Sequence, residues 1–181
     1  QTSMFPTLKE NERLWLNRWG RTIKKMPERG DIITFEAPST VIPTKAEINL
    51  TNPIAKYEKE PKGVFNKFVY YVLESNKKSY IKRVIALPGE YVEIKDGAVY
   101  INGEKLEEDY LTSGMVTDMK NGNREETYYT NFTVPENCVF ALGDNRTGST
   151  DCRAFGCIPL EKIEGTVLFR FWPFSRAGGV N

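Results

Sequence analysis

The sequence predicts a mainly β protein, and three observations carry that prediction. Short runs rich in Val, Ile, Tyr and Phe recur along the 181 residues, bounded by Gly, Pro, Asn or Asp. Asp96-Gly97 stands between the alternating runs Tyr91–Lys95 and Ala98–Ile101, which is a hairpin signal. No repeat, heptad or long amphipathic helix is present.

The elements follow in order. From Lys9 to Gly20 charges are mixed with Leu14, Trp15, Leu16 and Trp19, and the alternation of the leucines predicts a half-buried strand with a turn. An interfacial position for the two tryptophans, where amphipathic rings are favoured, is the alternative. Pro27 to Gly30 is turn chemistry, and Asp31–Glu36 follows as a β-branched strand. Residues 37–63 hold Pro38, Pro43, Pro53 and Pro61 without a clear period, which predicts a loop excursion. The apolar run Phe68–Glu74 and the run Tyr80–Leu87, stopped by Pro88-Gly89, predict two strands. Asn102-Gly103 adds a second turn. Residues 104–131 are polar and carry Asn121-Gly122-Asn123, and are expected to form a small peripheral lobe. Phe132–Pro135, Cys138–Leu142 and the run ending Val167–Trp172 complete the strands, and Ala177–Asn181 is expected to fray. Residues 1–103 and 132–181 would then form the core.

Composition excludes several functions. Hydrophobic residues make up 40% and charged residues 27%, as in ordinary folded domains. The net charge of +1 gives no electrostatic case for nucleic acid. The absence of histidine removes Ser-His-Asp and Cys-His chemistry and any histidine-bound zinc. Three scattered cysteines, Cys138, Cys152 and Cys157, make a poor metal site, and no metal or cofactor is expected. Their odd number rules out a fully paired framework; Cys152 and Cys157 lie close enough to be bridged if the segment between them turns. No run of 18 apolar residues exists. The chain opens without methionine and directly inside a motif, as a fragment of a longer protein would.

Three stretches carry chemistry: Ser3–Leu8, Tyr80–Glu90 and Gly143–Arg153. A serine hydroxyl needs a neighbour to take its proton, and without histidine lysine is the main candidate. Lysine serves only as the neutral amine, which burial favours by lowering its pKa. By the two-residue period Lys82 shares a face with Tyr80 and Val84 while Arg83 points the other way. Taken alone, Lys82 is an ordinary strand lysine and Ser3 an ordinary turn serine. The third stretch adds Gly143, Asn145 and Gly148 for tight backbone geometry, and Asp144, Arg146, Asp151 and Arg153 alternating in sign for charge-assisted pairs. Ser149 is placed to exchange a hydrogen bond with a lysine amine.

Together these stretches resemble bacterial type I signal peptidases, the Ser-Lys endopeptidases that remove signal peptides from exported proteins. Ser3-Met4-Phe5-Pro6-Thr7-Leu8 is similar to the nucleophile motif, Arg29-Gly30-Asp31-Ile32-Ile33 to the second box, and Lys82-Arg83-Val84 with Pro88-Gly89-Glu90 to the lysine box. Gly143-Asp144-Asn145-Arg146 with Ser149, Asp151 and Arg153 is similar to the last box, and Phe169–Pro173 to the tail of Gram-positive members. Five matches in order are specific where one would be weak.

The resemblance implies twisted antiparallel sheets forming a catalytic core, with Ser3 attacking the scissile carbonyl and Lys82 as general base. It implies that Ser149 hydrogen-bonds Lys82, that Asp144 pairs with Arg83 and Asp151 with Arg153, and that the Ser3 N–H serves the oxyanion hole. Met4, Leu8, Tyr80 and Ile81 would line shallow pockets for the small residues of Ala-x-Ala-like sites. The implied partners are signal peptides of exported preproteins and the membrane lipid surface. The implied place is the extracytoplasmic face of the cell membrane, held by a single N-terminal span not contained in this sequence. Phe5, Trp15, Trp19, Phe171 and Trp172 would offer an apolar surface to lipid, although each taken singly reads as core. Two departures stand out: Gln1 lies two before Ser3, where members carry serine or glycine, and Cys152 stands where serine is frequent. The unusual entry keeps a second function open, that of a specialised, non-catalytic accessory factor, a chaperone binding pilin subunits in pilus assembly. The presence of both Ser3 and Lys82 favours the enzyme.

Overall fold

The protein's structure, a computed structural model, describes residues 2–19, 25–41, 43–58, 78–117 and 129–180. Among the described residues, ten strands build two antiparallel sheets. The first sheet contains β1 (Arg13–Asn17), β2 (Ile32–Glu36), β3 (Ser79–Ala86), β8 (Cys138–Leu142), β9 (Ile158–Pro159) and β10 (Ile163–Trp172), in the order β1-β10-β2-β3-β8-β9. The second contains β4 (Tyr91–Lys95), β5 (Ala98–Ile101), β6 (Glu104–Lys105) and β7 (Asn131–Thr133), in the order β6-β5-β4-β7. The mainly antiparallel β fold expected from the sequence is the fold observed.

Burial follows position in the sheet. β2 and β3 are central, so they are buried on both faces over much of their length and read as apolar runs. β1 lies at an edge and keeps the predicted half-buried pattern. Asp96 and Gly97 both adopt positive φ, 51° and 74°, which a two-residue turn requires for its twist to match that of the flanking strands. β4 and β5 are therefore held in register from Val92 opposite Ile101 to Lys95 opposite Ala98. Asn102 and Gly103 repeat the device between β5 and β6.

One core joins the two sheets. Ile33, Phe35, Val84 and Phe140 of the first meet Val92, Ile94, Val99 and Phe132 of the second. A smaller cluster of Met4, Leu8, Ile32, Val167 and Val180 forms on the opposite face. Adjacent strand residues point to opposite faces, so Ile33 serves the first cluster and Ile32 the second.

Four expectations need revision or addition. The tail is not frayed: Gly178 bridges Arg170 through the backbone, and Val180 is buried in the smaller cluster. β7 and β8 are neighbours in sequence but belong to different sheets, pairing with β4 and β3. A single helical turn, α1 (Cys152–Phe155), ends the loop that the sequence suggested, because the Asp151 carboxylate accepts from the Arg153 N–H as its cap. The three cysteines are buried as free thiols, so Cys152 and Cys157 are not bridged. The expected strand over Phe68–Glu74 lies outside the described residues, as do residues 118–128 of the polar stretch. The described part of that stretch begins as a strand of the second sheet and runs on to Thr117, whose N–H is bonded to the Gly97 carbonyl.

Candidate active site

The first residues turn tightly. Phe5 donates its N–H to the Thr2 carbonyl and Leu8 to that of Met4, and Met4 and Leu8 anchor the turn by burial in the smaller cluster. The turn is stitched to the loop after β8: the Asn145 N–H donates to the Ser3 carbonyl at 3.0 Å and the Asn145 amide to the Thr2 carbonyl at 3.3 Å. Ser3 thus reaches β3 across 79 residues of sequence, and its Oγ lies 2.9 Å from the Lys82 amine.

Lys82 is only 3% exposed. Its amine also donates to the Ile81 carbonyl at 3.0 Å and sits 5.5 Å from the centre of the Tyr80 ring. Burial pushes its pKa down from 10.5 to about 8, and the nearby Asp151 carboxylate and Cys152 pull the other way. About a tenth of the amine is therefore free base at pH 7, next to a serine hydroxyl, against far less than a hundredth for an ordinary lysine. The arrangement can move a proton from Ser3 Oγ to Lys82 Nζ.

The supporting charges are paired as expected. Arg83 grips Asp144 with two parallel bonds, Nε to Oδ1 at 3.0 Å and Nη2 to Oδ2 at 2.8 Å. Arg83 also donates to the Gly30 carbonyl at 2.8 Å, which ties the second box to the site. Arg153 makes the same fork on Asp151, at 2.9 Å for each bond. Burial opposes ionisation of Asp151, but Arg153 and the Gly143 N–H outweigh it and hold the carboxyl below its ordinary value. Both pairs are almost wholly buried. Arg29 reaches Glu90 at 2.5 Å and the Ile85 carbonyl at 2.6 Å, so glutamate serves in the lysine box.

Ser149 departs from expectation. It is buried, but its Oγ makes no hydrogen bond, and the bond to Lys82 is not formed. It lies instead against Gly143. A Cβ at Gly143 would fall 2.5 Å from the Ser3 carbonyl oxygen and closer still to Ser149 Oγ, so glycine is required there by close approach. Gln1 lies outside the described residues.

Two open cavities flank the serine. One of about 230 Å³ is lined by Thr2, Ser3, Tyr80, Lys82, Gly148 and Thr150. The other, of about 280 Å³, has apolar walls from Met4, Leu8, Leu14, Tyr80 and Ile81 and a rim from Lys9, Glu10 and Glu12. Met4, Leu8, Tyr80 and Ile81 are thus brought together as the sequence suggested. Sequence reasoning missed several contributors. Thr7 Oγ1 donates to Asp144 Oδ2 at 2.6 Å, and Glu108, Tyr110 and Thr117 close around Arg146. A threonine four residues after the nucleophile was visible within the first motif; nothing in the polar stretch flagged Glu108. The core positions that Phe5, Trp15, Trp19, Phe171 and Trp172 suggest when each is taken singly are not found: all five are exposed, Trp15 on the edge strand β1 and Phe171 and Trp172 on its neighbour β10. Among the described residues, no cluster of acidic residues or cysteines is arranged to hold a metal ion. No helix among them is long and apolar enough to cross a membrane.

Fold and site together define a mainly antiparallel β protein whose buried lysine meets a serine hydroxyl in an open groove. The chain belongs to the signal peptidase family, peptidase S26, which matches residues 1–172. It is 40% identical to signal peptidase I of Bacillus caldolyticus over 63% of this chain and 65% of that protein. It is 35% identical to signal peptidase I of Leptolyngbya laminosa, over 97% of this chain and 68% of that one. The crystal structure of a signal peptidase I from Enterococcus faecalis is 33% identical, with a TM-score of 0.46, covering 78% of this chain and 97% of that one. The chain thus spans about two thirds of the length of these two curated relatives.

Proposed function

We propose that this chain is the catalytic part of a serine endopeptidase that cleaves signal peptides from exported preproteins after small residues. The observation that carries the reading is the 2.9 Å contact between Ser3 Oγ and a lysine amine whose burial lowers its pKa to about 8. In this mechanism neutral Lys82 accepts the proton of Ser3 as Oγ attacks the scissile carbonyl, forming a tetrahedral oxyanion beside the Ser3 N–H. Collapse breaks the C–N bond, and the protonated lysine gives its proton to the leaving amine. Water then attacks the acyl-serine, with Lys82 again as base, and frees the enzyme.

The groove suits an extended substrate. β3 pairs with β8 only from Arg83 onwards, so Ser79–Lys82 is bordered by β2 on one side and can accept an added strand on the other. The two cavities flank that edge at Tyr80 and would take the small side chains that precede the cut. The exposed aromatic edge, with Trp15 stacked on Phe169 and Trp172 against Phe174, would rest on the lipid surface from which such a substrate emerges. On this reading the domain works at the extracytoplasmic face of the membrane.

The test is incubation of the protein with a detergent-presented preprotein carrying an Ala-x-Ala site, followed by N-terminal sequencing of the product. Cleavage directly after the second alanine, abolished by Ser3→Ala and by Lys82→Ala, supports the reading. Binding of the same preprotein, or of a pilin, without cleavage by the wild type would overturn it.

A further inference from the structure

Two buried arginines hold the loop that packs against Ser3, and both rest on one segment, residues 106–117. Arg146 is 1% exposed. Its Nε donates to the Gly143 carbonyl at 3.0 Å, beside Ser3. Its Nη1 donates to Glu108 Oε2 at 3.0 Å and to the Thr117 hydroxyl, and its Nη2 to Glu108 Oε1 and the Tyr110 hydroxyl. Glu108 is therefore the counter-charge of Arg146. Tyr110 fixes that carboxylate by donating its hydroxyl to Oε1 at 2.5 Å.

The same tyrosine serves the second arginine. The Arg83 guanidinium lies 4.0 Å from the centre of the Tyr110 ring, a cation–π distance. Arg83 grips Asp144, and Asp144 accepts from Thr7 in the nucleophile turn. Two chains of contact thus begin in one segment and end on either side of Ser3: Glu108 to Arg146 to Gly143, and Tyr110 to Arg83 to Asp144 to Thr7. The segment is itself fixed, since the Thr117 N–H donates to the Gly97 carbonyl at 2.8 Å in the β4–β5 turn.

We propose that Glu108 and Tyr110 are positioning residues for the Ser3–Lys82 pair, acting through Arg146 and Arg83 to hold the 143–153 loop against the nucleophile turn. The role rests on the enzymatic reading above, but its consequence for Lys82 does not require activity. Gly148 and Thr150 of this loop line the cavity over Lys82. Loosening the loop admits water to the amine and returns its titration toward that of an ordinary lysine.

The test uses Glu108→Gln, which keeps the shape and removes the charge, and Tyr110→Leu, which removes both ring and hydroxyl. Thr117→Val is the milder third variant, used where either of the first two fails to fold. In folded preparations kcat for an Ala-x-Ala preprotein should fall at least about tenfold while KM stays within about twofold, because the groove is intact and the reacting atoms are displaced. The Lys82 midpoint, read by NMR of a selectively labelled side chain, should rise from the wild-type value toward 10.5. Unchanged kcat with an unchanged midpoint overturns the proposal, as does a rise in KM alone. If the wild type does not cleave, the enzymatic reading falls, and the NMR midpoint alone decides: a rise in the variants supports the positioning role, and no change overturns it.

Discussion

Replacing Lys82 by methionine should make the protein more stable at neutral pH, by an amount that shrinks as pH rises. Methionine has similar length and no charge, so the change chiefly removes a buried titratable group. Burial lowers the Lys82 pKa from 10.5 to about 8. Below the folded value the lysine is protonated in both states, and the native state carries the full cost of a buried ammonium. Between about 8 and 10.5 the native lysine is neutral while the unfolded one still holds its proton, so that cost falls as pH rises. Linkage gives a cost of about 3.4 kcal/mol at pH 7, falling to about 1.4 kcal/mol at pH 9.5. The stability difference between Lys82→Met and wild type, from urea unfolding, should therefore shrink by about 2 kcal/mol over that interval. Using the difference cancels other groups that titrate there. A difference that does not change with pH, or that grows, would refute the placement of Lys82 as a desolvated amine.

Three more outcomes follow from the same geometry. Gly143→Ala should leave the fold assembled by circular dichroism yet reduce preprotein cleavage at least about 100-fold, because the new Cβ displaces Ser149 and the Ser3 carbonyl. Asp151→Asn should destabilise by about 1.5–3 kcal/mol in urea unfolding, because it weakens the two buried charge-assisted bonds between Asp151 and Arg153. Val180→Ser should cost about 1.5–3 kcal/mol and lower Tm, since Val180 packs with Met4 and Leu8; a frayed tail would show no change.

Much of this was legible because it is local. The two-residue period set the faces of β3, the Asp96-Gly97 turn set a hairpin, and alternating charges in Gly143–Arg153 announced paired carboxylates. The bond expected at Ser149 was not found, because a side-chain bond depends on where the Gly143 backbone sits to within an ångström. The burial of Val180 was hidden because its partners, Met4 and Leu8, lie at the other end of the chain. Glu108 was hidden for the same reason: a glutamate in a polar stretch looks solvated until the fold brings Arg146 to it. Trp15 and Trp172 read as core when taken singly, since a single aromatic carries no signal of which face of its strand is left uncovered.

The most direct measurement is the pH dependence of single-turnover cleavage of a detergent-presented preprotein by this protein. The account predicts a rate that rises with pH through a midpoint near 8, the folded value of Lys82, and that vanishes in Lys82→Ala at every pH. A rate that is flat from pH 6 to 10, or that survives in Lys82→Ala, would contradict Lys82 as the base for Ser3.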